Sequence, residues 1–130
     1  MCIRDRSGGD PAAVRRSIAE ADVLLACAAA GVQVVSAEAL GAATRLQVAA
    51  DVNAVPPEGI AGLGVMDNAK PLAGTQAVGI GALAIGNVKY QTQHRLLVQM
   101  CEAEKAQVLS FPEAFAVARA FLAEQAGTTA

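Results

Sequence analysis

Apolar positions along this chain change their period several times, and each change predicts an element. Asp10-Pro11 pairs a residue that caps free amides with one suited to a first helical turn. Val14, Ile18 and Ala21 then recur at helical spacing, which predicts a short helix over about 11–20. Asp22-Val23-Leu24-Leu25-Ala26-Cys27-Ala28 is a continuous apolar run, the pattern of a strand buried on both faces of a parallel sheet. Ala29-Ala30-Gly31 lets the backbone turn closely. Ser36 caps a second helix through about Ala43, with Glu38 favourably placed in its first turn. Leu46 to Ala50 forms the next strand. It leads into Asp51-Val52-Asn53-Ala54-Val55-Pro56-Pro57, where the double proline forbids both helix and central strand.

Residues 56–75 are rich in Gly and Pro and are expected to be irregular, a length typical of functional loops. Thr75 to Ile80 reads as a third strand. From about Gly81 a long helix is expected to reach Ala106, with Ile85, Val88, Thr92, Leu96 and Met100 on one face. Ser110-Phe111-Pro112-Glu113 is a capping box with proline inside the first turn. It opens a last helix whose expected core stripe is Phe111, Phe115, Ala118 and Leu122. The order α-β-α-β-loop-β-α-α implies an α/β layered sheet, most simply parallel with helices on its faces.

Composition excludes several classes. With 54% hydrophobic and 17% charged residues the chain is no disordered tail. It lacks a run of about 18 apolar residues, so no membrane span is expected. The formal charge of −2 and the scatter of Lys and Arg leave no basic stripe, and no nucleic-acid partner is expected. Cys2, Cys27 and Cys101 fit no zinc spacing and His94 is the single histidine, so no metal is expected either. Free thiols suit a reducing compartment, Cys27 and Cys101 as small buried hydrophobes, and the cytoplasm is the default location. Residues 1–7 are charged, lack a period and run into glycines; they read as a non-native leader, the alternative being a genuine disordered N-terminus, with residues 8–130 as the folded part.

In an open parallel sheet, ligands bind beyond the carboxyl ends of the strands. Three segments fall there: Ala28 to Gly31, Asp51 to Pro57, and Gly79 to Asn87. Small residues let a flat cofactor approach the backbone, and prolines fix a loop without side-chain help. Gly79-x-Gly81-x-x-Ala84 matches the dinucleotide fingerprint in spacing, between a predicted strand and a helix. An acidic residue should then close another strand about 20 residues on, and here no strand follows. The alternative is a tight strand-to-helix turn. Asp51 and Asn53 are open to two readings, turn chemistry with nearby backbone or a place at a ligand. Lys89, early on the long helix, is either solvated or opposite an anionic group.

Taken together, Asp51-Val52-Asn53-Ala54-Val55-Pro56-Pro57-Glu58-Gly59-Ile60 and Gly79-Ile80-Gly81-Ala82-Leu83-Ala84-Ile85-Gly86-Asn87-Val88-Lys89 resemble the NAD(P)-dependent methylene-tetrahydromethanopterin dehydrogenases. Ala28-Ala29-Ala30-Gly31-Val32-Gln33 is similar to a cofactor-domain loop of the same family, and the likeness covers about residues 8–125. The resemblance implies the C-terminal part of a Rossmann-like NAD(P)-binding domain: a partial parallel sheet, flanking helices and two C-terminal helices. It implies a fragment that is inactive alone, because the family's glycine fingerprint lies upstream of Gly8. The implied reaction passes a hydride from methylene-tetrahydromethanopterin, or a tetrahydrofolate counterpart, to NADP or NAD in one-carbon oxidation. Carried over by position, Ala28, Ala30, Gly31, Asp51, Asn53, Gly79 and Gly81 are the cofactor-binding candidates, and Lys89 is the catalytic candidate facing the pterin. A homo-oligomer is expected. Tyr90-Gln91-Thr92-Gln93-His94 departs from the family pattern. The alternatives are another two-domain NADP enzyme, related to methylenetetrahydrofolate or shikimate dehydrogenases, and a non-catalytic domain whose alanine-rich helices pack subunits.

Overall fold

A computed structural model of the chain describes residues 8–127. The leader expected over residues 1–7, and Cys2 within it, lie outside the described residues. The elements run α1 (Pro11–Ala19), β1 (Val23–Ala26), α2 (Ala37–Leu40), β2 (Val48–Asp51), β3 (Asn68–Pro71), β4 (Val78–Ile80), α3 (Ala82–Glu102) and α4 (Phe111–Gly127). Two compact units divide between Ala84 and Ile85.

The first unit is built on a four-stranded sheet in the order β1-β2-β4-β3. β1, β2 and β4 are parallel, as the element order requires, with Leu24 opposite Ala49 and Ala49 opposite Gly79. β3 is antiparallel to β4, so the sheet is mixed. The mostly parallel α/β sheet with flanking helices is as expected; the difference is β3, an antiparallel edge strand inside the segment 56–75 that was expected to be irregular. A tight turn at Thr75, whose N–H donates to Leu72 O at 3.2 Å, with Gly74 at φ 77°, folds Asn68–Pro71 back along β4.

The caps form as the sequence requires. Asp10 Oδ1 accepts from Ala12 N at 3.0 Å, and Ser36 Oγ accepts from Ala39 N at 3.2 Å. Helix α2 is shorter than expected, ending at Leu40. Ile18 from α1, Ala39 and Leu40 from α2, and Ala26 and Ala49 from the sheet form one core with Leu46, Ile60 and Leu63. On the sheet side that core is met by Ala26 and Ala49, with half-buried Leu24 packed against it.

β1 is not buried on both faces. Among the described residues it pairs on one side only, with β2, and Val23 and Leu25 are 58% and 67% exposed. A run of apolar residues marks burial only where both faces are covered, and at this edge strand one face is open. Cys27 and Cys101 are likewise exposed rather than buried: Cys27 lies just past the end of β1, and Cys101 lies near the end of α3.

The second unit contains most of α3 and all of α4. Thr92 is the buried residue of α3, with Val88 and Leu96 half-buried one turn to either side and Ile85 half-buried, whereas Met100, expected on the same face, is exposed. The capping box at Ser110 is present, with the Glu113 carboxylate accepting from Ser110 N at 2.7 Å. The α4 stripe is rotated from the expected one. Phe121 is buried with Ala114, Val117 and Ala118 half-buried, whereas Phe111, Phe115 and Leu122 are at least half exposed. Alanines on every side of α4 make its periodicity weak, and the buried face follows Phe121, which lies under the Arg95 guanidinium.

Candidate functional site

The parallel strands end level with one another, since Ala26 is opposite Asp51 and Ala50 opposite Ile80. Their carboxyl ends therefore open along one edge, and the loops after β1 and β2 meet there.

Asp51, the last residue of β2, is 2% exposed. Its Oδ1 accepts from Asn53 N at 2.9 Å, and its Oδ2 accepts from Gly59 N at 2.6 Å and Ile60 N at 3.2 Å. Three amide donors replace the water lost on burial, so the carboxylate closes the loop 51–60 on itself. Gly59 has to be glycine: a Cβ there would stand 2.9 Å from Asp51 Oδ1 and 3.2 Å from its Cγ. The same loop is tied outward, with Gly59 O accepting from Val34 N and Val35 N, both at 2.9 Å.

Asn53 is 4% exposed. Its Oδ1 accepts from Val55 N at 2.9 Å and from Gly31 N at 3.2 Å, and its Nδ2 donates to Pro57 O at 3.0 Å. The Pro56-Pro57 bond is cis. Asn53 thus joins the loop after β1 to the loop after β2. Gly31 has φ 73°, a conformation that suits glycine, and a Cβ on it would lie 3.6 Å from Pro56 O. Ala28 is half-buried and Ala30 exposed on the same loop. Turn chemistry accounts for the Asp51 and Asn53 side chains. The surface left to a ligand at this edge is the small-residue tip Ala28–Gly31 and the exposed Val55–Pro57 tip.

Gly79 and Gly81 have a different environment. A Cβ on Gly79 would fall on Leu63 Cδ1, and one on Gly81 would fall on the backbone of Gly64 and Val65, all closer than 3.0 Å. The turn 64–67 is drawn tight over β4. Asp67 Oδ2 accepts from Gly64 N at 2.8 Å, Gly81 N donates to Asp67 O at 2.8 Å, and Leu83 N donates to Val65 O at 2.9 Å. Lys70 Nζ, 2.8 Å from Asp67, and the Gly64 amide hold the Asp67 carboxyl below the usual carboxylate range. Both glycines are therefore accounted for by chain packed against them, the strand-to-helix turn among the two readings. Nothing local in the sequence marks Gly59, Leu63 or Asp67 as partners of these positions, because each contact spans eight residues or more or depends on the fold of the loop.

Lys89 lies exposed on α3, in the second unit, as does His94, whose ring stacks on Tyr90 with centroids 6.2 Å apart. Tyr90 and His94 line an apolar groove of about 500 Å³ with Leu96, Leu97, Met100 and Leu109. Among the described residues no three His, Cys, Asp or Glu side chains come together as a metal site. Among them, too, no helix is long and apolar enough to cross a membrane.

No family model matches the chain. It is similar to the NAD(P)-dependent methylenetetrahydromethanopterin dehydrogenase of Methylorubrum extorquens, with 51% identity over 108 residues. The match takes in 83% of this chain and 36% of that protein, so the chain spans about a third of the relative's length. The resemblance drawn from the three edge segments is borne out by this likeness.

Proposed function

We propose that this chain is part of a dehydrogenase of the same kind as that relative, passing a hydride between methylene-tetrahydromethanopterin and NAD(P). The 51% identity over 108 residues carries the reading. The sheet supports it, because three parallel strands end at one edge, where dinucleotides bind in open α/β folds.

The residues at that edge fit the cofactor. Ala28, Ala30 and Gly31 offer no side chain beyond a methyl group, so a flat ring or a ribose can rest on the backbone. The Val55–Pro57 tip is fixed from behind by Asn53 and Asp51. When bound, NAD(P) supplies the hydride acceptor. The donor carbon stands between two nitrogens, and the cation left after hydride loss is stabilised by those nitrogens. Such chemistry needs alignment rather than a strong acid or base, so the chain's task is to hold two surfaces at a set distance. Asp51 and Asn53 serve the nucleotide side of this task by holding the two loop tips through backbone groups. Lys89 is proposed, from the resemblance, to meet the pterin. Gly79 and Gly81 are proposed to serve the cofactor only by keeping β4 close under the turn 64–67. The one-carbon carrier and the nucleotide are the partners, and the same reading carries the expectation of a cytoplasmic homo-oligomer.

A hybrid tests this reading. Residues of this chain replace the matching segment of the Methylorubrum enzyme, and nucleotide reduction by methylene-tetrahydromethanopterin is followed. Turnover is expected. A hybrid that folds and binds NAD(P) but does not turn over refutes the proposal.

A further inference from the structure

We infer that Asn53 is a positioning residue for the nucleotide, setting the separation of the Ala28–Gly31 and Val55–Pro57 tips without touching the cofactor; this rests on the nucleotide-binding reading above. The tips leave different strands, β1 and β2; the ladder ends at Ala26 and Asp51 with Val52 N donating to Ala26 O at 3.1 Å, and the far ends of the two loops are tied where Val34 N and Val35 N donate to Gly59 O, which leaves the tips between these ties. There, the bond from Gly31 N to Asn53 Oδ1 joins one tip to the other. The same oxygen accepts from Val55 N, and Nδ2 holds Pro57 O, so a single planar amide spans both loops. Both lone pairs of Oδ1 are used, and at 4% exposure the side chain offers almost no surface to a ligand. A bound dinucleotide at this edge rests on both tips, so its affinity follows their spacing.

A cofactor contact and a positioning role differ in how Asn53 couples to Gly31. Asn53→Ser keeps a short acceptor for Val55 N but does not reach Gly31 or Pro57, so the local turn survives. Gly31→Ala strains the same bond from the other side, at φ 73° and against Pro56 O. In the hybrid enzyme, each single change should raise KM for NAD(P) about tenfold and leave KM for the pterin within about twofold. Because both act on one bond, the double variant should fall within about twofold of the worse single variant. A double effect near a hundredfold means independent contacts and overturns the inference. So does a loss confined to kcat with KM for NAD(P) unchanged, the signature of a merely smaller folded fraction.

A second readout needs no turnover. In this 130-residue chain, Asn53→Ser should speed hydrogen exchange of the Gly31 amide about tenfold and spare the Val34 amide, which Gly59 O holds. Unchanged exchange at Gly31 overturns the inference. An unmutated hybrid that reduces no nucleotide, while Gly31 still responds to Asn53, overturns the functional reading and with it the cofactor role, leaving the loop coupling as a separate observed fact.

Discussion

Three glycine-to-alanine changes give predictions of opposite sign from one chemical edit, a single added methyl. At Gly81 the methyl would meet the backbone of Gly64 and Val65, closer than 3.0 Å. That backbone cannot swing aside as a side chain can. It is held by Gly64 N to Asp67, Asp67 N to Gly64 O, Gly81 N to Asp67 O and Leu83 N to Val65 O. Overpacking of this kind costs about 1–3 kcal/mol. Stretching one or two of those hydrogen bonds adds about 1 kcal/mol each. Reduced freedom of the unfolded chain returns about 0.4–1 kcal/mol. The net loss is about 3 kcal/mol. At Gly79 the methyl meets Leu63 Cδ1, the far end of a side chain, so a rotamer shift relieves part of the clash and the loss should be about 1–2 kcal/mol. At Gly86, inside α3, nothing lies within 4 Å, and alanine should stabilise by about 1 kcal/mol through helix propensity. Urea unfolding of the three variants, followed by circular dichroism, gives the order directly. Were Gly79 and Gly81 a phosphate cradle instead, both alanines would leave stability within about 0.5 kcal/mol and weaken nucleotide binding. A Gly81→Ala midpoint equal to that of the parent chain would refute the packing argument.

Other expectations follow from the same geometry. Asp51→Asn turns one of two accepting oxygens into a donor facing amides, so urea unfolding should show a loss of about 2–4 kcal/mol, and Asp51→Glu should not restore it in this closed space. In α4, Phe121→Ala should cost about 3–4 kcal/mol while Phe111→Ala costs under about 1 kcal/mol, a comparison that reverses if the stripe runs through Phe111. The Glu113 carboxyl is held low by the Ser110 amide, Glu124 by Arg95, and Asp67 by Lys70. Their folded values lie below the unfolded ones. The stability they contribute is therefore complete above about pH 4–5 and is lost as pH falls through the lowered values, so the urea midpoint should drop on acidification and Glu113→Gln should flatten that drop. In the hybrid enzyme, Lys89→Ala should raise KM for the pterin about tenfold and KM for NAD(P) less than about twofold; equal effects would remove Lys89 from the pterin side.

What could be read from the sequence was local. Asp10, Ser36 and the Ser110–Glu113 pair each bond an amide within three residues, so residue type and spacing sufficed to place them. The parallel β1-β2-β4 core followed from the alternation of strands and helices. The misjudged elements depend on distant chain. β3 is Asn68–Pro71, wholly exposed, with no apolar alternation; it exists because β4 offers it an edge. The open face of β1 depends on what covers it, and an apolar run is silent about that. At the site, the types of Asp51 and Asn53 were legible as turn formers or ligand contacts. The hydrogen bonds they accept from Gly59, Ile60 and Gly31 arise only across the fold. The glycines of Gly79-x-Gly81 show the same limit, since their partner chain over 63–65 lies in a segment without a periodic signal.

Hydride transfer itself is the most direct measurement. Methylene-tetrahydromethanopterin carrying deuterium on its methylene carbon is supplied, with NADP or NAD, to the hybrid enzyme containing this chain, and the reduced nucleotide is isolated. Direct transfer places the deuterium on the nicotinamide ring, with the reaction slowed by the heavier isotope or unchanged if release is limiting. Deuterium that appears in water, or a folded hybrid that leaves the nucleotide oxidised, contradicts the account.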